Sequence, residues 1–126
     1  MIEYKIEEIK AVLEKKEFAL FNRQTGKSTA LIEFVHDHHG AEAVVICADN
    51  KTAGMMARLY NQKFPNEELP VFCGPFLADR CIRGNAKKIF IDEPHLVPFK
   101  VLVDISDSGR LEGAVGSKYV SGLIFF

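Results

Sequence analysis

Hydrophobic positions along this 126-residue chain recur with two different periods. Over residues 4–16, Ile6, Ile9, Val12 and Leu13 fall three or four apart with Glu and Lys between them, which predicts an amphipathic helix. Residues 17–22 read as a short buried strand. A helix is predicted from about 27 to 39, carrying Leu31, Ile32, Phe34 and Val35, with Gly40 as its stop. Ala43-Val44-Val45-Ile46-Cys47 is a continuous apolar run, the pattern of a strand covered on both faces. Asn50 can cap a helix running to about Phe64, where Pro65 follows. Val71-Phe72-Cys73 reads as a short strand, residues 74–87 as irregular and partly basic, and 88–92 as a further strand. In 95–109, Pro98 and the β-branched residues argue against one clean helix. Residues 119–126 close the sequence on a strand-like, very apolar run.

Strands alternating with helices predict an α/β fold with a mainly parallel sheet, formed by residues 1–126 as a single domain. In such sheets ligands bind beyond the carboxyl ends of the strands. Two polar segments fall at strand ends of this kind. One is Asn22-Arg23-Gln24-Thr25-Gly26-Lys27-Ser28-Thr29, between the apolar Phe18-Ala19-Leu20-Phe21 and the next helix. Strand, Gly-Lys-Ser loop and helix is the context of a phosphate-binding loop, in which backbone N–H groups and the helix N-terminus surround an anion. Lys27 would reach the β- and γ-phosphates, and the Ser28 hydroxyl would sit on Mg²⁺. Phe21 stands where the common form of the motif has its first Gly. The other segment is Lys88-Ile89-Phe90-Ile91-Asp92-Glu93-Pro94, an apolar strand ending in two acids. Asp92 would hold Mg²⁺ and Glu93 would orient or deprotonate an attacking water. The bland alternative is a surface turn before Pro94. Two adjacent carboxylates repel each other, so burying them is costly unless they serve a purpose.

Between the two motifs lie the run at 43–48 and the segment at 71–73, which leaves room for a strand inserted between the motif strands, as in ATPases with a catalytic glutamate. Asn50-Lys51-Thr52-Ala53 lacks the aspartate that a guanine-reading motif needs, so ATP is preferred to GTP. Arg23 could fold over the γ-phosphate and offset transition-state charge; the plain alternative is a solvent-facing arginine. Arg80, Arg83, Lys87 and Lys88 form a basic cluster that could touch nucleic acid or the nucleotide, or simply be solvated. His36, His38 and His39 suit the negative end of a helix dipole better than a metal site. Met55, Met56, Leu59 and Phe64 read as core packing. Ser117-Lys118 lacks the neighbours of a nucleophile.

Composition narrows the field only a little. A net charge of −1 gives no global attraction to nucleic acid, so any such contact must be local. Three cysteines without C-x-x-C spacing read as reduced thiols of a cytoplasmic protein rather than a zinc site. No secretory leader and no membrane span are expected.

The motif set resembles the ATPase domain of tailed-phage terminase large subunits, the DNA-packaging motors. Arg23-Gln24-Thr25-Gly26-Lys27-Ser28 is similar to that family's Arg-Gln-x-Gly-Lys-[Ser/Thr] loop. Ile82-Arg83-Gly84, followed by Ile89-Phe90-Ile91-Asp92-Glu93, is similar to its Arg-Gly and Asp-Glu strand. Ala48-Asp49-Asn50-Lys51-Thr52-Ala53 lies where the family has a strand end and a helix start. The resemblance covers roughly residues 4–97. It implies a P-loop NTPase fold of the catalytic-glutamate type, reduced in size and three-layered. Gln24, Thr25, Gly26, Lys27, Ser28 and Thr29 would bind ATP, with Ser28 and Asp92 on Mg²⁺. Glu93 would be the catalytic acid, Arg23 the finger or sensor arginine, and Arg83 a contact to nucleotide or DNA. If the chain is phage-encoded, its location would be the host cytoplasm. The family's Thr-rich coupling motif and nuclease domain are not matched, so nuclease activity is not expected. The leading expectation is therefore an Mg²⁺-dependent ATPase coupled to double-stranded DNA, to a protein partner or to further copies of itself. A non-hydrolysing regulatory module is the second reading and a small nucleotide kinase the third.

Overall fold

The structure, a computed structural model, describes residues 2–16, 18–20, 26–38, 40–75, 77, 80 and 88–118. Four helices and five strands organise them: α1 (Ile2–Glu14), β1 (Phe18–Leu20), α2 (Lys27–His38), β2 (Ala43–Ile46), α3 (Asn50–Lys63), β3 (Val71–Cys73), β4 (Lys88–Asp92), α4 (Phe99–Asp107) and β5 (Leu111–Gly116). Short 3₁₀ turns at Gly40–Glu42 and Pro94–Leu96 link some of them. The sheet has the order β1-β5-β4-β2-β3, and every pairing is parallel. The fold is thus α/β with an all-parallel sheet.

The apolar runs behave as doubly covered strands should. Val45, Cys47, Phe90 and Val115 point into one core with Ile9, Leu13, Leu31, Val35, Met56 and Tyr60 of α1, α2 and α3. Val44, Ile46, Cys73, Ile89, Ile91 and Ala114 point into the other, closed by Val97 and by Leu102 and Ile105 of α4. Alternate residues of one strand feed opposite layers, so Cys47 and Cys73 lie in different cores although Cys47 N donates to Cys73 O at 2.8 Å.

Several expectations need correction. The strand between the two motif strands is β5, not β2 or β3, which lie on the far side of β4. The apolar run at 119–126 lies outside the described residues, and the last described strand is Leu111–Gly116. Its hydrophobic signal is diluted by Glu112, Gly113 and Gly116, yet the glycines have a packing reason. A Cβ on Gly113 would stand 2.9 Å from Leu13 Cδ2, and one on Gly116 would stand 3.1 Å from Phe18 and Pro94. Residues 95–109 divide into the 3₁₀ turn and α4, with Pro98 just before the helix, where a fixed φ and a missing N–H do no harm. The cap of α3 is Asp49 rather than Asn50: its carboxylate accepts from Thr52 N at 2.7 Å.

Candidate functional site

The site lies at the carboxyl edge of the sheet, where β1 leads towards α2 and β4 ends. Gly26 has φ +84°, a left-handed conformation that glycine takes without a Cβ clash, and it delivers the chain into α2. Ala30 N donates to Gly26 O at 2.8 Å, the opening bond of the helix. Lys27, Ser28 and Thr29 therefore form the first turn, whose N–H groups precede the ladder and face the helix end. A pocket of about 360 Å³ is lined by Gly26, Lys27, Ser28, Thr29, Asp92, Glu93 and Leu96. Two segments 65 positions apart in sequence, from Lys27 to Asp92, thus face one space.

Lys27 is 8% exposed and Asp92 4%, and they are the buried charged residues among those described. Burial pushes the Asp92 carboxyl up to about 7; the neighbouring Glu93 adds to the shift and Lys27 opposes it. Glu93 adopts φ 54°, ψ 64°, a left-handed conformation that costs a non-glycine residue about 1 kcal/mol. Its N–H donates to Val115 O at 2.7 Å. Ser117 Oγ donates to Glu93 Oε2 at 2.9 Å, and His95 Nδ1 stands 3.6 Å from the same oxygen. Glu93 Oε1 and His95 Nδ1 are buried without a hydrogen-bond partner among the described residues.

Of the residues singled out from sequence, the fold brings Gly26, Lys27, Ser28, Thr29, Asp92 and Glu93 together. Arg23, Gln24, Thr25 and Arg83 lie outside the described residues, as do His39 and Lys87. Ser117, set aside as a nucleophile, reaches the site as a donor to Glu93, because β5 ends beside β4. His95 and Leu96 carried no sequence signal and enter the site through the 3₁₀ turn. Lys88 belongs to a different edge, donating to Glu112 at 3.0 Å. Ala53, where a guanine-reading aspartate would stand, is buried in the core. His36 stacks on Phe64 at a centroid distance of 3.6 Å, and its ring nitrogens lie 3.0 Å from Asp37 and 3.0 Å from Glu67. Beside the site, burial pushes the Cys47 thiol up to about 12, with Asp92 and Asp49 adding to it, so this thiol is no nucleophile.

The class that these observations define is an α/β protein with an all-parallel sheet and a lysine–carboxylate pocket at its carboxyl edge. No protein-family model and no curated protein matches the chain. Among the described residues, no helix is long and apolar enough to cross a membrane. No group of three or more His, Cys, Asp and Glu there could hold a metal ion by itself. The oxygen donors that line the pocket, the hydroxyls of Ser28 and Thr29 and the carboxylates of Asp92 and Glu93, are of the kind that suits Mg²⁺, which takes few protein ligands and completes its shell with phosphate and water.

Proposed function

We propose that this chain is a small P-loop ATPase of the catalytic-glutamate type, akin to the ATPase domain of tailed-phage terminase large subunits, that binds Mg·ATP and hydrolyses it to ADP and phosphate. The observation that carries the reading is the meeting of Lys27 and Ser28, on the first turn of α2, with Asp92 and Glu93 in one pocket. A strand set between β1 and β4 is the arrangement this class would need.

Lys27 would place its ammonium against the β- and γ-phosphates, and the first turn of α2 would add N–H donors and the positive end of the helix dipole. Ser28 and Asp92 would hold Mg²⁺, which when bound supplies charge neutralisation to the triphosphate. Attraction to the cation would also favour the ionised form of Asp92, whose burial now opposes it. Glu93 Oε1, buried and without a hydrogen-bond partner among the described residues, is the oxygen left to take a proton from the attacking water. Arg23 belongs to this scheme as the cis arginine over the γ-phosphate. Coupling to double-stranded DNA, to a protein or to further copies is part of the same proposal.

Isothermal titration with Mg·ATPγS, run beside phosphate release with and without double-stranded DNA, tests the assignment. Wild type should bind, Lys27→Ala should not, and Glu93→Gln should bind normally while turnover falls at least about a hundredfold. Normal affinity in Lys27→Ala would overturn it. The hydrogen bond that ties Glu93 Oε2 to Ser117 favours a second reading, a nucleotide-binding module that does not turn over. Binding without phosphate release, with or without DNA, would select that one.

A further inference from the structure

Glu93 and His95 are joined by the tight 3₁₀ turn Pro94–Leu96, in which Leu96 N donates to Glu93 O at 3.0 Å and Val97 N to Pro94 O at 3.1 Å. The left-handed backbone at Glu93 and the ring of Pro94 fix the direction of this turn, and it carries the His95 ring back onto the carboxylate. The two side chains are 20% and 16% exposed. One carboxylate oxygen, Oε2, already accepts from Ser117 Oγ. His95 Nδ1 stands 3.6 Å from that same oxygen, just beyond a hydrogen bond, and is buried with no other partner among the described residues. A buried, unsatisfied ring nitrogen is destabilising, and a small rotation of the ring would remove that cost. A bare Nδ1 would set its lone pair against the carboxylate, so the nitrogen facing Oε2 should carry the hydrogen.

We propose that His95 is a positioning residue for Glu93: its Nδ1–H donates to Oε2 alongside Ser117, which leaves Oε1 as the oxygen without a partner among the described residues. The carboxylate is thereby held by one oxygen and works with the other. Ser117 grips it from just past the end of β5 and His95 from the turn after β4, so its orientation depends on both strands keeping their relative place. The kinetic consequence rests on the ATPase reading, whereas the bond itself does not.

Long-range ¹H–¹⁵N NMR of the full chain decides the bond without nucleotide. His95 should carry its hydrogen on Nδ1 in wild type, and Glu93→Ala should move it to Nε2. A bare Nδ1 in wild type overturns the proposal. In turnover assays His95→Ala should lower kcat by about tenfold or more, with KM and Mg·ATPγS affinity within about twofold of wild type. His95→Asn, whose amide nitrogen lies near the place of Nδ1, should recover most of the loss. Equal losses of affinity and turnover, or an Asn variant as slow as Ala, would overturn the positioning role. If wild type bound no Mg·ATPγS, the ATPase reading would fall and the NMR result would still decide the His95–Glu93 bond.

Discussion

Glu33 and Asp92 are both carboxylates withdrawn from water, and their surroundings treat them in opposite ways. Glu33 lies where α1, α2 and α3 meet, and it is paired from both sides. Lys10 donates to one of its oxygens, and the Lys63 ammonium stands 3.1 Å from the other. Burial alone would raise its pKa, but these partners outweigh it and hold the carboxyl below its ordinary value. Asp92 sits deeper, beside another acid, and the nearby Lys27 does not offset the burial. Its neighbour Glu93 adds a left-handed backbone and a buried oxygen without a partner among the described residues. In the helix layer paired lysines outweigh burial at Glu33, while at the sheet edge burial prevails at Asp92. A cation and a phosphate chain would complete the edge, whereas nothing need be added to the helix layer.

Removing the charge at the sheet edge should give the largest change in stability. A pKa raised in the folded state means that the folded chain binds the proton more tightly than the unfolded one. Wild type therefore loses stability as pH climbs from the ordinary value of 3.8 to about 7. That shift is worth about 4 kcal/mol at most at 1.36 kcal/mol per pH unit. Asn keeps a polar burial cost, so Asp92→Asn should stabilise the protein on the order of 2 kcal/mol at pH 8 in urea unfolding and, on the proposed ATPase reading, abolish turnover. A destabilised variant would break the contrast. In the helix layer the sign reverses: Glu33→Gln should destabilise by about 1 kcal/mol or less, and salt should narrow the difference.

The smallest effect belongs to His36, held by Asp37 and Glu67 over the ring of Phe64. The hydrogen bond to Asp37 is the main cause that raises its pKa above the ordinary 6.5. Its contribution is present below that value and fades as pH rises through the folded-state value. Compared with His36→Gln, wild type should have an advantage of about 0.5 kcal/mol at pH 6 that shrinks towards pH 9. A gap that widened with pH would mean that the ring is held neutral.

How legible each part was depended on how local its signal is. Lys88–Asp92 is read with its observed bounds, because a strand covered on both faces is an unbroken apolar run, and Val71–Cys73 likewise, although it is an edge strand with Val71 exposed. β5 escaped because close packing against Leu13, Phe18 and Pro94 demands glycine at 113 and 116, and glycine reads as a turn. Glu112 obscured it further, since its partners Lys16 and Lys88 come from distant positions. The same division holds at the pocket. Gly26-Lys27-Ser28 and Asp92-Glu93 announce themselves as contiguous types, whereas Ser117 matters only through a strand that had not been recognised. Asp49 and Asn50 are both good caps, and sequence alone could not choose between neighbours.

The sheet order also sets a timetable. Within the described sheet β1 pairs with β5 alone, with Phe18 opposite Ala114, a separation of 114 − 18 = 96 residues. During synthesis, β2, β3 and β4 can pair with one another while β1 waits for the last described strand to leave the ribosome. The strand that precedes Gly26 and α2 is thus secured late, by a contact of high sequence separation. The pocket between Gly26 and Asp92 would then take its shape only once the described sheet is complete, rather than while it grows.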